Sequence, residues 1–349
     1  MRFPPKPDRT ANYKPALAWF CVFALAWVVC LLFAGGFTTS IEAGMAFLDW
    51  PLSNGSINPD GWLTEPHKMA EHSHRLLGAT VGTLTLVIAI WTWLREERAW
   101  LRRLAWTAVA LVIFQGTLGG LRVLFDRLNT GADHNLVAQT FRVMHGVTAQ
   151  VFVCVLVSIA VAGTRSWIHG MAGLQREPSP RIRKAGFIAV AVIGVQLLLG
   201  ALMRHNNAAL AIPSFPFTPD GGLIPEAWDF RVAIHFAHRA WALVVAGTLA
   251  WYAGRLWAIR RWGRVLGIGA IALMALLAVQ IFLGALTVWT LRNPHAATLH
   301  MLLGATTLAT TWALTFISLR HRFDDTRSPV AVGHASPAAG RATVPAARR

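Results

Sequence analysis

Residues 71–94 read EHSHRLLGATVGTLTLVIAIWTWL and are the part of the chain most informative about its fold. It joins a polar head, Glu71 to Arg75, to a long run without a charged residue. About 20 apolar residues in a helix span the hydrocarbon core of a bilayer. The segment therefore predicts a membrane-spanning helix that carries histidine near one end.

Apolar runs of this kind recur along the chain, whose residues are 55% hydrophobic and 14% charged. Such a composition excludes an ordinary soluble protein and predicts an all-α integral membrane protein. We expect eight transmembrane helices. They are placed at residues 17–36, 72–94, 104–124, 139–163, 185–203, 233–253, 265–290 and 297–319.

The formal net charge of +16 comes from basic residues that cluster beside these spans. Of the 32 Lys and Arg residues, 23 lie in the N-terminal tail, 95–103, 164–184, 254–264 and the C-terminal tail. The positive-inside rule places these segments, and hence both termini, in the cytoplasm. The charge is therefore interpreted as a signal of topology and of contact with membrane lipid, and no nucleic acid partner is expected.

The chain repeats itself after a shift of 165 residues. The segment Gln115-Gly-Thr-Leu-Gly-Gly-Leu aligns with Gln280-Ile-Phe-Leu-Gly-Ala-Leu. One residue of slippage then aligns His74 with His238, and a shorter late loop aligns His145 with His300. Because four spans return the chain to its starting side, the halves are expected to be two parallel-repeat four-helix bundles.

The repeat divides the chain into two halves and three flanking parts. They are a cytoplasmic N-terminal segment at 1–16, a first half at 17–163, a cytoplasmic linker at 164–184, a second half at 185–319 and a disordered cytoplasmic tail at 320–349. The three cysteines, Cys21, Cys30 and Cys154, fall inside predicted spans. We therefore expect neither a disulfide in an outer loop nor a thioether-linked haem.

Four histidines occupy matching positions in the two halves, namely His74, His145, His238 and His300. Each opens a span that runs from outside inward, so all four imidazoles are expected near the outer leaflet. Two helices of one bundle can offer one imidazole each to a cofactor. A lone histidine at a helix end is more often a polar residue in interfacial water, but four in register favour two sites for porphyrin iron.

The other histidines fall elsewhere in the sequence. His72 and His235 neighbour the proposed ligands. The rest are expected in loops or tails, at His67, His134, His169, His205, His295, His321 and His334.

Arginines lie beside three of the four proposed ligands. Arg75 and Arg239 directly follow a histidine, and Arg142 stands one turn before His145. Guanidinium groups bind carboxylates well, so these three are candidates for binding the propionates of a haem. The alternative is that they extend to lipid headgroups.

The two halves differ at one position near the ligands. The first half reads Glu71-His-Ser-His74-Arg and the second reads His235-Phe-Ala-His238-Arg, so only the first has a carboxylate one turn before the ligand. A partly desolvated carboxylate there suits proton transfer or the stabilisation of a cationic intermediate. A capping or interfacial glutamate is the alternative. Asp49 is expected to order the first outer loop.

Together these residues resemble the haem A synthase family. Its members have eight spans in two halves, an Asp-Trp-Pro segment in the first outer loop, a Glu-x-x-His-Arg motif that opens the second span, and one histidine opening each of the fourth, sixth and eighth spans. The corresponding elements here are Asp49-Trp50-Pro51, Glu71 to Arg75, His145, His238 and His300, within residues 17–319. Many bacterial members also carry a cysteine pair in the first outer loop, which residues 37–71 lack.

The resemblance implies an enzyme that oxidises the C8 methyl of haem O to the formyl group of haem A, for use in terminal oxidases. It implies that His238 and His300 hold a haem b cofactor, and that His74 and His145 hold haem O, with Glu71 as the catalytic carboxylate. It also implies a bacterial-type inner (cell) membrane, with a haem O synthase and terminal oxidase assembly factors as partners. Formation of a homo-oligomer is left open.

Other functions would use the same histidines. A non-catalytic two-haem electron carrier would bind two haem b groups and would not need Glu71. A haem carrier or assembly scaffold would release its porphyrin unchanged. A metal transporter is disfavoured, because the ligands lie at one depth without a chain of acids across the membrane.

Overall fold

The structure is a computed structural model that describes residues 12–128, 135–168, 178–320 and 323. Within these ranges the chain is helical, without a β-strand and with one isolated β-bridge between Ser53 and Ser56. Eight of the described helices are long and apolar enough to cross a bilayer, which confirms the prediction of an all-α integral membrane protein. Nearly all of the expected tail at 320–349 lies outside the described residues, as do 1–11 and 169–177.

The helices follow the predicted order. The first half contains α1 (Pro15–Ser40), α2 (Pro66–Arg95), α3 (Ala99–Leu128) and α4 (Leu136–Gly163), followed by the short helix α5 (Arg165–Ile168). The second half contains α6 (Pro180–His205), α7 (Phe230–Ala258), a 3₁₀ turn (Arg260–Trp262), α8 (Arg264–Trp289) and α9 (Pro294–Ile317). Proline opens α1, α2, α6 and α9, where its missing N–H removes no helical hydrogen bond.

Each described span starts earlier than hydropathy predicts. The helix α2 begins at Pro66 rather than at 72, because its first turns carry polar residues that resemble a loop in composition. The expectation that the four histidines stand in first helical turns was therefore wrong. His74, for example, lies about two turns inside α2.

The two halves pack around separate apolar clusters and meet along four helices. Between the halves, α1 contacts α9, α4 contacts α6, and α4 contacts α9. If α1 is exchanged with α6, and α4 with α9, the same three contacts result. The packing therefore fits a parallel repeat related by a two-fold axis, with α4 and α9, the most buried of the described spans, at its centre.

Two long loops mark one end of the bundle, which we call the loop end. The first loop, residues 41–65, joins α1 to α2, and the second loop, residues 206–229, joins α6 to α7. Each contains a cis peptide bond, at Trp50–Pro51 and at Phe215–Pro216. The four histidines of the repeat lie about 10 Å below the start of their helices at this end.

Candidate functional site

The structure brings the four histidines together in the two predicted pairs. His74 on α2 faces His145 on α4, with ring centroids 6.5 Å apart and ring planes at 88°. His238 on α7 faces His300 on α9, with ring centroids 6.4 Å apart and ring planes at 69°. Each half thus contains one imidazole pair between its second and fourth spans.

Each imidazole lies against a glycine of the neighbouring helix. A Cβ atom built on these glycines would lie 2.6 to 3.4 Å from the nearest ring carbon, so a larger residue would press on the ring at three of them and would just touch it at Gly119. The contacts are Gly35 with His74, Gly119 with His145, Gly200 with His238 and Gly284 with His300. We call each of these arrangements a glycine cradle.

Glutamines four residues before the glycine support three of the four cradles. Gln196 and Gln280 donate from Nε2 to the carbonyl oxygens of His238 and His300, each at 3.1 Å. Gln115 donates to the His145 carbonyl at 3.0 Å when its side-chain oxygen and nitrogen are exchanged, an orientation that gives both atoms hydrogen-bond partners. At the fourth cradle the equivalent residue is Leu31.

The ring nitrogens of the pairs suit a bound metal. The Nδ1 atoms of His145 and His300 lie 3.2 Å from the carbonyl oxygens of Gln115 and Gln280, so Nδ1 carries the proton and donates it to a backbone acceptor. This bond leaves Nε2 free as a ligand and holds the ring in orientation, as at many metal sites. The backbone of Leu31 lies in the equivalent position beside His74, although Nδ1 of His74 makes no hydrogen bond of ordinary geometry within the described chain.

The spacing of each pair fits a single metal held between two imidazoles. Imidazole nitrogens bind first-row metals at about 2 Å, which places two opposed nitrogens about 4 Å apart and the ring centres farther. The observed centroid distances of 6.5 and 6.4 Å agree with this arrangement. The residues present therefore fit porphyrin iron in both halves. Among the described residues, no group of three or more His, Cys, Asp or Glu side chains could hold a bare metal ion.

Glu71 and His235 occupy equivalent positions in the two halves. Each lies between a loop backbone N–H and the arginine four residues later, and we call this position the socket. Glu71 is buried and accepts from Phe47 N at 3.1 Å and from Arg75 Nη2 at 2.7 Å. His235 is buried and faces the same two kinds of donor, a loop backbone N–H and the arginine four residues later. Those distances are 3.2 Å from Ile212 N to Nδ1 and 3.1 Å from Arg239 Nε to Nε2.

The two arginines that follow the ligands bind the loops. Arg75 donates to the carbonyl oxygens of Asp49, at 2.8 Å, and of Leu52. Arg239 donates to the carbonyl oxygens of Ile212 and Ser214 at 2.9 and 2.6 Å. These bonds hold each loop against its helix bundle, a role that sequence reasoning did not assign to them.

The third arginine named from the sequence, Arg142, forms an ion pair with Asp126 of α3 at 2.5 Å. Asp126 also lies 3.9 Å from Arg122, one turn earlier on α3. Arg122 was missed, because an arginine within an apolar span was interpreted only as part of the charge pattern. The sequence signal that could have identified Arg122 is a difference between the two repeats, because the equivalent residue in the second half is Thr287.

The first loop is ordered as expected by Asp49. Its carboxylate accepts from the backbone N–H groups of Asn54 at 2.8 Å and Gly55 at 2.7 Å. Burial alone would raise the pKa of this carboxyl, but these hydrogen bonds and the charge of Arg75 lower the pKa below its ordinary value. The indole of Trp50 packs on Gly120, beside the cradle glycine of α3.

His67, His205 and His295 lie in α2, α6 and α9, so the expectation that they lie in loops or tails was wrong. His67 is exposed, whereas His72, His205 and His295 have structural contacts. His72 is buried, with Nδ1 2.9 Å from Ser53 Oγ and Nε2 3.2 Å from the Ile57 carbonyl, so it also anchors the first loop. His295 packs on Phe37. The backbone carbonyl of His205 accepts from Gln139 across the two halves. His134, His169, His321 and His334 lie outside the described residues.

Comparison with known proteins gives one consistent family. A family model described as cytochrome oxidase assembly protein, COX15-CtaA, matches residues 18–312. A protein named Heme A synthase from Geobacillus kaustophilus is 28% identical over 338 residues, which cover 94% of this chain and 99% of that protein. Proteins of the same name from Shouchella clausii and Sphingopyxis alaskensis are 29% and 28% identical, over 75% and 88% of this chain and 83% and 94% of theirs. With a match that spans all eight helices and both imidazole pairs, the chain belongs to the COX15-CtaA family of cytochrome oxidase assembly proteins.

Proposed function

We propose that this protein is a haem A synthase, an oxidoreductase that converts the C8 methyl group of haem O to the formyl group of haem A through hydroxylated intermediates. The observation that carries the proposal is the asymmetry between two otherwise matching imidazole pairs, with Glu71 beside one pair and His235 beside the other. Two equivalent electron-carrying sites would not need this difference. The relatives named Heme A synthase support the same interpretation.

Each half would hold one porphyrin. We assign haem b, the resident cofactor, to His238 and His300 in the half at 185–319. Haem O, the substrate, is assigned to His74 and His145 in the half at 17–163. Haem b held by these two histidines would supply electron transfer.

The chain itself would orient the substrate and keep water away from it. Gly35 and Gly119 leave just enough room for the rings of His74 and His145, so the ligands cannot turn freely. The first loop, which Arg75 and Trp50 tie to α2 and α3, would close the loop end over the porphyrin. Exclusion of water strengthens electrostatic interactions with the reacting group.

Glu71 would act as a fixed negative charge beside the substrate. Both of its oxygens accept hydrogen bonds, from the Phe47 backbone and from the Arg75 guanidinium. A carboxylate held in this way stabilises positive charge that develops nearby. Each oxygen accepts one of these bonds and keeps a second lone pair, so Glu71 can hold its charge in place and can also accept a proton without releasing either donor.

The distribution of charge supports a location in a bacterial-type inner membrane with both termini in the cytoplasm. The loop end, and with it both porphyrin sites, would then lie near the outer leaflet. A haem O synthase would supply the substrate, and a terminal oxidase or its assembly factors would receive the product. A second copy of the chain is also a candidate partner.

The test is to extract and identify the porphyrins of the purified protein. The chain is produced together with a haem O synthase in a host that makes no haem A of its own. We expect haem A or its hydroxylated precursor beside haem b. Haem b alone, although haem O is available, would contradict a synthase and favour an electron carrier. Unaltered haem O that exchanges freely would favour a haem carrier.

A further inference from the structure

A cluster of three charged residues lies beside the imidazole pair of the first half. Asp126 of α3 is 2.5 Å from Arg142 of α4 and 3.9 Å from Arg122. Arg122 also lies within electrostatic range of Glu71 and of both histidines of the pair. The cluster carries two positive charges and one negative charge, so it has one positive charge in excess.

The cluster contains hydrogen-bonding atoms that its own residues do not satisfy. Arg122 Nε and Arg142 Nε are buried and have no hydrogen-bond partner within the described chain, and neither has Asp126 Oδ2. A buried donor without an acceptor costs about 1–3 kcal/mol, and more when it is charged. Arg122 Nε faces Asp126 Oδ2 at 3.9 Å, so a small shift would pair these two atoms, whereas Arg142 Nε has no partner among the described residues. The unsatisfied N–H of Arg142 and the excess positive charge of the cluster point to an anionic acceptor that is not part of the chain.

The Arg122 guanidinium contacts the first loop at Gly44. This group donates to the Gly44 carbonyl at 2.6 Å. A Cβ atom on Gly44 would lie 2.3 Å from Arg122 Nη2 and 2.8 Å from Nη1, so a larger residue there would displace the guanidinium. The residue is therefore positioned by a specific contact, and it does not simply extend to lipid headgroups.

The second half lacks every part of this cluster. The positions that correspond to Arg122, Asp126 and Arg142 are Thr287, Leu291 and Ala297, and the position of Gly44 is occupied by Ala209. The second half instead has a buried arginine on α6, Arg204, which donates to the Gly36 carbonyl and Ser40 Oγ of α1. The two imidazole pairs are alike, but the cations around them are not.

We propose that Arg122 and Arg142 bind a propionate carboxylate of the porphyrin in the first half and so set how that porphyrin is turned in its plane. The inference rests on the proposed function in taking this half as a porphyrin site. Arg75 is less suited, because its guanidinium already binds Glu71 and the loop carbonyls. The C8 methyl shares a pyrrole ring with one propionate, so fixing that propionate fixes the methyl group that is oxidised. Arg122 is thus a binding and positioning residue.

The test measures binding rather than conversion. The protein is purified from cells that make no haem O, with the haem of its second half retained, and is titrated with ferric haem b and with its propionate dimethyl ester. We expect the free acid to bind about 10- to 100-fold more tightly than the ester. Arg122→Gln should remove most of this preference and leave the affinity for the ester unchanged. Arg103→Gln, an exposed arginine at the other end of α3, is the matched control.

An equal loss of affinity for acid and ester would show that Arg122 only supports the fold, and an unchanged preference for the acid would also overturn the proposal. If Arg122→Gln does not retain the haem of the second half, Gly44→Ala replaces it. That variant keeps every charge but displaces the guanidinium, and it should show the same selective loss for the acid. A chain that binds through Arg122 yet yields no haem A would contradict the proposed function and leave this inference standing.

Discussion

Among single residues, the clearest difference between the two halves is the side chain in the socket, which is Glu71 in the first half and His235 in the second. A carboxylate has two acceptor oxygens, so Glu71 satisfies both the loop N–H and Arg75. A neutral imidazole has one acceptor nitrogen, so His235 can accept fully from only one of its two donors. The socket is therefore matched to an anion in the first half and not in the second.

Replacing Glu71 by glutamine tests the role of this anion. The amide keeps one acceptor but turns an NH₂ group toward either Arg75 or the Phe47 N–H, and the negative charge is lost. We expect the conversion of haem O to fall at least about 100-fold while the haem b content stays the same. Glu65→Gln, at an exposed carboxylate just before α2, is the control. Normal haem A formation by Glu71→Gln would exclude a catalytic role for Glu71.

Asp49 predicts a pH dependence of the first loop. Because its pKa is lower in the folded loop than in an unfolded chain, its hydrogen bonds stabilise the loop at neutral pH, and this contribution is lost as the pH falls below about 4. Asp49→Asn has only one acceptor for two N–H donors. At pH 7 its loop should be cleaved about fivefold faster by a protease.

The pH series distinguishes this mechanism from general acid unfolding. The difference between the parent protein and Asp49→Asn should shrink toward zero as the pH falls through the carboxyl range. A difference that stays constant down to pH 3 would contradict the assignment. Cleavage sites are mapped by mass spectrometry so that only cuts within residues 41–65 are counted.

At the scale of helices, the cradles explain why glycine and histidine recur together. The ring of a histidine two turns into one helix needs space on its neighbour, and glycine is the residue that leaves it. In three cradles a glutamine one turn away satisfies the histidine backbone carbonyl or ring. A helix pair with a glycine cradle therefore occurs twice in each four-helix half.

Alanine at a cradle glycine should disturb the ligand. On Gly284, a Cβ atom would lie 3.0 Å from Cε1 of His300, so the ring must move. We expect Gly284→Ala to retain haem b about 10-fold more weakly and to alter its absorption spectrum. Gly194→Ala in α6, where a Cβ atom meets nothing within 4 Å, should leave both unchanged and stabilise its helix by about 0.5–1 kcal/mol. Equal behaviour of the two variants would exclude the cradle.

At the scale of the whole molecule, polar contacts join the halves at the loop end. Ser40 Oγ is 2.9 Å from Thr298 Oγ1, and Arg204 donates to Ser40. Arg292 forms an ion pair with Glu42 at 2.6 Å. Since these bonds connect residues that flank both imidazole pairs, the two sites are held at a defined separation.

The orientation of the molecule in the membrane can be measured with introduced cysteines. The three native cysteines are first replaced, and then Asp60→Cys in the first loop or Arg261→Cys between α7 and α8 is added; both positions are exposed. The positive-inside rule predicts that a membrane-impermeant thiol reagent labels Asp60→Cys in intact cells and Arg261→Cys only after lysis. The reverse pattern would place the loop end in the cytoplasm.

The class of fold and the pairing of the histidines could be predicted from the amino-acid sequence alone. Hydropathy over about 20 residues is a local property, so all eight spans were found, with errors only at their polar ends. The register of the internal repeat was enough to match His74 with His238 and His145 with His300. It also singled out Glu71 as the residue that breaks the symmetry.

The surroundings of each histidine could not be predicted from the sequence and became known from the packing of the folded chain. Residues far apart in sequence form the contacts there. They include the glycine cradles, the hydrogen bonds of Arg75 to the first loop and the contact of Arg122 with Gly44. An arginine whose donors are all bound within the chain and one with a buried unsatisfied donor look alike in a sequence. They differ in which donors the folded chain satisfies, and that depends on the packing of helices and loops.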